Sequence, residues 1–440
     1  MFDLRTLFVI LIAGAFLFFA LKTPFYTLLF YLWASYFRPE QWAWSPVINS
    51  LNLQLLIGVW LVLFTLISAQ RLRFGIGPLL FILMLVHGLI STSQSLAFEY
   101  AWRYWMEFAK ALLVGYLMVV LVTTEQRLRV TLIVIALSLG FEGAKQGWAQ
   151  LILNPGARND NTWVVLGDNN GVAIGMMMLL SLLVGLIRTS SRAVERHIGR
   201  FLAVGVTYRA ISTYSRGGFL SCAGLVLHYV LRSRRKLTSL LTVGVLAAVV
   251  LPVLPTEFWQ RMSTIQEAAE GDIYVDGSAA GRIHYWNVAV LMANDRPIVG
   301  VGQNAFNAVY DTYDPSQGVY GRRRSVHSQW FGMLAELGYP GLILFIAVLL
   351  RAFYVCWRTR RLARVHPQLA NLAHYATAVE GALVTAVIGG TFYPFHYNEM
   401  LWHMIALSMV VWEVALAQVA VPHTTTVREP VTLPLARSSA

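Results

Sequence analysis

Cysteine, acid and charge are all scarce in this 440-residue chain. Its two cysteines, Cys222 and Cys356, both fall inside apolar segments, which leaves no disulfide framework and no metal-ligand spacing built on thiols. Charged residues make up 13% of the chain, where a soluble domain carries roughly 25%. A water-soluble globular protein is therefore excluded. Acidic residues number 22 against 34 basic ones, and no Asp-x-Asp occurs, so a familiar device for holding a diphosphate through a metal is missing. No internal repeat is visible, whereas transporters are often built from repeats.

What is present is hydrocarbon. The chain is 57% hydrophobic, and long apolar stretches recur at 4–21, 51–68, 75–91, 104–122, 128–153, 170–188, 237–254, 330–357, 371–390 and 399–418. Each is long enough to cross a core of ~30 Å at ~1.5 Å per residue. Shorter candidates lie at 24–37, 198–213 and 217–231. The expected fold is an all-α polytopic membrane protein with about 12 (12 or 13) transmembrane helices. Thirteen crossings would leave the amino terminus outside, and twelve inside. The first segment runs into further apolar sequence without a small-residue cleavage site, so it reads as an uncleaved anchor.

The net charge of +12 is concentrated in three short loops. Arg188, Arg192, Arg196 and Arg200 share one. Arg232, Arg234, Arg235 and Lys236 share a second, and Arg358, Arg360, Arg361 and Arg364 a third. Only Glu195 offsets them. Basic loops at alternate helix connections are an orientation signal, positive side inward, and require no nucleic acid. With these loops inside, the turn at 214–218, the long 255–326 segment and the 391–399 turn face outward. The chain then divides into helices with short loops at 1–254, an outer loop domain with amphipathic helices at 255–326, further spans at 327–420 and a disordered inner tail at 421–440. Within the loop, helical periodicity over 281–297 places Ile283, Trp286, Val290 and Ala293 on one face.

Three polar positions converge on the outer side: Arg216 in TYSRGGF, Arg282 in GRIHYW and His327 in VHSQW. Arg216, between two apolar segments, is costly there without a partner. Arg322, Arg323 and Arg324 add positive charge, and guanidinium groups grip phosphate oxygens in pairs. His327 is expected in the first turn of its helix, where the dipole and nearby arginines hold the imidazole neutral. A neutral imidazole can accept a hydroxyl proton. The plainer readings are an interfacial anchor for His327, a snorkelling Arg216 and a headgroup contact for the triplet.

Together these motifs resemble the O-antigen ligase and polymerase superfamily of membrane glycosyltransferases. The family's helix after the large loop opens with His, then Asn, Ser or Gln, nine residues and G-x-x-G, matched by His327, Ser328, Gly338 and Gly341. Its Ser-Arg-Gly turn is matched by Ser215, Arg216 and Gly217. Its loop pattern is matched by Arg282, Trp286, Pro297, Gly300 and Gly302, and its helix opening after Gly-Asp by Gly167, Asp168 and Asn170. The first 150 residues read as generic membrane sequence.

The resemblance implies an enzyme of the bacterial (Gram-negative) inner membrane, with its site facing the periplasm. It would take an undecaprenyl-diphosphate-linked glycan as donor and, as a ligase, lipid A–core as acceptor, within a phospholipid membrane. Polymerases and protein O-oligosaccharyltransferases share the motif, and a lipid-linked sugar transporter is the alternative of a different class. No cofactor or metal is expected. Asp311 and Asp314 read as a turn, and His396, Glu399 and His403 as part of an outer interface belt with Tyr393, Tyr397 and Trp402. Glu142 and Lys145 read as a structural pair; Arg209 could be structural too, or reach the diphosphate from below.

Overall fold

The computed structural model describes residues 4–43, 45, 48, 50–233, 235–250, 256, 259 and 277–420. The expected tail at 421–440 and most of 251–276 lie outside the described residues. Every apolar segment read from the sequence coincides with a helix: α1 Leu4–Ala20, α2 Pro24–Phe37, α3 Leu53–Ile67, α4 Ile76–Ser93, α5 Phe98–Leu121, α6 Glu125–Leu153 and α7 Asn169–Thr189. They continue as α8 Ala193–Ile211, α9 Arg216–Arg232 and α10 Lys236–Val250. Two helices, α11 Gly277–Asp295 and α12 Phe306–Tyr313, form the described part of the loop domain, before α13 Gln329–Val365, α14 Ala370–Gly390 and α15 Glu399–Ala420. Among the described residues there is no strand, and α4, α5, α7, α13, α14 and α15 are long and apolar enough to cross a membrane.

The two kinds of apolar surface separate cleanly. The interior is α7, α14, α15 and the adjoining faces of α2 and α5, with Val172, Met176, Leu179, Leu383 and Trp402 fully enclosed. The periphery exposes Leu11, Leu56, Ile67, Leu79 and Leu240. So much outward apolar surface is a liability in water, but in a bilayer it is the surface the solvent requires. Because lipid supplies no hydrophobic drive between helices, close backbone approach matters more. At the α6–α8 crossing, a Cβ on Gly147 would lie 1.8 Å from the Gly205 carbonyl oxygen, so only hydrogen fits.

α7, α9 and α13 run in one direction and α14 returns between them. Ile174 of α7 lies against Gly389, and Ser181 donates to the Ala378 carbonyl at 2.7 Å. The far end of the bundle is the basic one. There Glu380 is buried between Arg232 and Arg360, and Arg129 pairs with Glu195.

The loop domain docks where α13 breaks. Gly338 sits at φ 68°, and Pro340 follows inside the helix. A proline has no N–H and the left-handed residue interrupts the ladder, so carbonyls just upstream lose their partners. The loop and α4 replace them. Val301 N–H donates to Ala335 at 2.9 Å and Gly302 N–H to Glu336 at 3.1 Å. Ser91 also donates to Glu336, and His87 to Leu337. Gly300 and Gly302 both have positive φ, and a Cβ on Gly300 would lie 2.4 Å from the Glu336 backbone. Gly300→Ala should therefore cost at least ~1–3 kcal/mol. It should appear as a lower melting temperature and faster proteolysis within 277–326; an unchanged melting temperature would contradict this docking.

The loop's helix faces inward by a stripe that overlaps the expected one only in part. Tyr285, Val288, Ala289 and Met292 are buried with Phe306, Tyr310 and Val326 in a small core of their own, whereas Ile283 is exposed. Of the expected face, Ala293 is buried and Trp286 packs against this core, so the period is right and the phase is met in part. Tyr285 is buried because its hydroxyl donates to the Tyr320 carbonyl at 3.0 Å, which a hydropathy count does not credit.

Candidate functional site

Three helix amino termini meet at the end of the bundle opposite the basic loops. Asp168 caps α7 by accepting from the N–H groups of Asn170 (2.8 Å) and Gly171 (3.2 Å). Ser215 caps α9 by accepting from Gly218 N–H at 3.0 Å, and it donates to Asn170 Oδ1 at 2.8 Å. One serine thus ties the two termini together. α13 starts beside them, with Ser328 at its cap position.

The turn after α14 packs against all three termini with consecutive residues. Thr391 Oγ1 accepts from Trp330 Nε1 at 3.1 Å. Phe392 lies against Gly217, where a Cβ would be 3.5 Å away, and Tyr393 lies against Gly171. Each terminus carries roughly half a positive charge in its unpaired N–H groups, so their convergence favours an anion.

Arg216 is the first residue of α9, behind its cap, and half-buried. A guanidinium is unfavourable at the positive end of a helix unless an anion offsets both. Arg282 approaches from the loop domain on α11. One turn later, Trp286 donates to the Val326 carbonyl at 3.1 Å and stacks on Phe331 at 5.1 Å. That clamp holds the Arg282 face of α11 against the residue preceding His327.

His327 is not in the first turn of α13. It lies two residues before the helix begins, at φ 47°, with its ring 6.2 Å from that of Tyr285. Its pKa is shifted in the expected direction, with a different leading cause. Burial comes first in pushing the imidazole below its ordinary value, followed by Arg282; Asp168 opposes this and Arg324 adds to it. His327 Nδ1 and Ser328 Oγ are buried and make no hydrogen bond among the described residues.

The arginine triplet does not act as one unit. All three side chains are exposed. Arg324 reaches His327 electrostatically while its Nε donates to the Tyr320 carbonyl. Arg323 has its backbone N–H bound by Asp311 at 2.8 Å, and Arg322 lies near Gly318. Gly300, Gly302, Gly338 and Gly341 shape the α13 break and its docked loop, at a remove from the imidazole. Asp168 was undervalued in the sequence: its capping role is readable from GDNNG, but its facing His327 is a tertiary fact.

The acidic pair at 311–314 builds a turn. Asp314 accepts from Ser316 N–H and Oγ, Gly318 N–H and His284 Nε2, the last at 2.8 Å. Burial raises its pKa, but these bonds outweigh burial and bring it down to about 2. A carboxylate depressed in the folded state stabilises above its unfolded value near ~4 and loses that contribution as pH falls through about 2. Amide exchange across 314–324 should accelerate over that window and be already fast at neutral pH in Asp314→Ala. Unchanged exchange would remove this role.

The expected interface belt is instead core. Trp402 is fully buried against Phe108, and His396 pairs with buried Glu336 at 3.2 Å. His403 takes Tyr36 as its partner at 2.9 Å. His396 is thus held apart from Glu399 and His403, which lie 3.7 Å from each other, and no cluster of three candidate metal ligands occurs among the described residues. Glu142 and Lys145 form the expected pair at 2.6 Å. Arg209 is buried, donating to the carbonyls of Asn159 and Asn161 and to Gln146; it pins the segment leading to Asp168.

A family model described as O-antigen ligase matches residues 201–346. A second, described as a family of unknown function, matches residues 1–188, so the amino-terminal part is less generic than its composition implied. No curated protein matched the chain. The O-antigen ligase match contains Arg216, Arg282 and His327, so the part of the chain that carries the candidate site is similar to the O-antigen ligase family.

Proposed function

We propose that this protein is an inverting glycosyltransferase that moves an O-antigen glycan from undecaprenyl diphosphate to a sugar hydroxyl of lipid A–core. The observation that carries the reading is the half-buried His327 within reach of Arg282, beside a helix terminus headed by Arg216. The acceptor oxygen attacks the anomeric carbon from the face opposite the diphosphate. The carbon–oxygen bond to the diphosphate breaks, and the leaving group departs with the electron pair. His327 takes the hydroxyl proton. Arg216, Arg282 and the converging N–H groups stabilise the charge gathering on the leaving group. A diphosphate needs no general acid to leave, and none is assigned.

The proposal includes about 12 spans, the 255–326 segment in the periplasm and the basic loops in the cytoplasm. Purified protein should be given the lipid-linked glycan with lipid A–core, with a pilin-like protein, or alone, in metal-free buffer with EDTA. Transfer to lipid A–core is expected. Joining of glycan to glycan, or to protein, would reassign the enzyme within its superfamily. Sidedness has its own test: a cysteine at exposed Val319 should label from outside the cell with an impermeant reagent, and one at Arg361 should not.

A further inference from the structure

A sizeable cavity among the described residues lies away from the proposed catalytic end. It holds about 630 Å³ between α7, α9 and α10, in the basic half of the bundle. Its walls are apolar, including Leu180, Val184, Val226 and Val230, and its charged lining residues are Arg188 and Arg235. α10 turns Leu237, Leu241 and Val245 outward, so the cavity lies beside a helix whose exposed face suits hydrocarbon.

We propose that this cavity binds an anionic phospholipid from the leaflet at the basic end, its phosphate between Arg188 and Arg235 and an acyl chain along α7 and α9. Charge complementarity selects the occupant. Among the described residues the lining carries two guanidiniums and no carboxylate, and Glu380 is already held by Arg232 and Arg360. Arg188 lies 5.2 Å from the Tyr229 ring, which orients the guanidinium without neutralising it. Ser233 and Ser239 hydrogen-bond each other across the α9–α10 turn at 2.7 Å and offer hydroxyls beside the arginines. A wholly apolar occupant would cover the walls and leave both cations unmatched. Basic pockets between membrane helices suit acidic headgroups in this way.

The test is native mass spectrometry of the full-length protein in detergent, with phosphatidylglycerol and phosphatidylcholine of identical chains in equal amounts. Wild type should retain phosphatidylglycerol preferentially, and the R188A/R235A double variant should lose about 25-fold of that preference, near ~fivefold per arginine. R188K/R235K, which keeps the charge, should retain most of it, and serves if the alanine variant fails to fold. Val226→Trp, which fills the cavity, should reduce retention of both lipids. Inorganic phosphate should not compete, because it lacks the chain. Equal retention of the two lipids by wild type, or an unchanged preference in the double variant, would overturn the proposal. Displacement of phosphatidylglycerol by a polyprenyl phosphate, one for one, would also overturn it and assign the groove to a prenyl chain.

Discussion

His327→Ala should lower the transfer rate by ~10²–10⁴-fold, the usual cost of a lost general base, while donor affinity stays within a few-fold of wild type. The pH profile makes the expectation sharper. Burial, then Arg282, holds the imidazole below its ordinary value, which is near ~6.5. The neutral form is the active one, so the rate should fall only as pH drops below that value, and this limb should vanish in the variant. The neighbours should move it in opposite directions. Arg282→Gln removes a depressing charge and should shift the limb upward in whatever activity remains. Asp168→Asn removes a supporting charge and keeps the helix cap, so the limb should shift downward. A histidine that only anchors its helix would instead give lower yield, near-normal turnover per folded molecule and an unmoved limb.

The second large effect concerns the arginines. Arg216→Ala and Arg282→Ala should each reduce transfer by ~10²–10³-fold, comparable to removing one donor from an oxyanion site. Lysine should rescue poorly, because it supplies a point charge where a planar fork is needed. The double variant should fall short of the product of the two, since both act on one leaving group. Arg322→Ala and Arg323→Ala should matter far less, because those side chains are exposed. Full activity in the lysine variants would reduce the arginines to a background field.

These expectations rest on a site that was partly legible in sequence. The helices could be read because lipid imposes a length and a composition on each of them, and the basic loops marked one end. Ser215, Arg216, Arg282 and His327 stood out because polar groups beside apolar runs are conspicuous. What sequence could not supply was which termini meet. The turn at Thr391, Phe392 and Tyr393 touches α13, α9 and α7 in succession, a relation among segments that lie well apart in the chain, 61 residues in the case of Trp330 and Thr391. The same limit misplaced His403 and Trp402. Aromatic and imidazole groups near a helix end look interfacial until their partners, here Tyr36 and Phe108, are known. His327 was set two residues too far along because the α13 boundary depends on backbone angles at Ser328 that no hydropathy pattern encodes.

The most direct measurement is a single-turnover reaction of purified protein in detergent with a lipid-diphosphate-linked glycan and its acceptor, followed by nuclear magnetic resonance of the new linkage. The account predicts that transfer proceeds with no membrane to cross, releases lipid diphosphate and inverts the anomeric carbon, and that His327→Ala binds donor without turning it over. Retention of configuration, or near-normal turnover by folded His327→Ala protein, would contradict it.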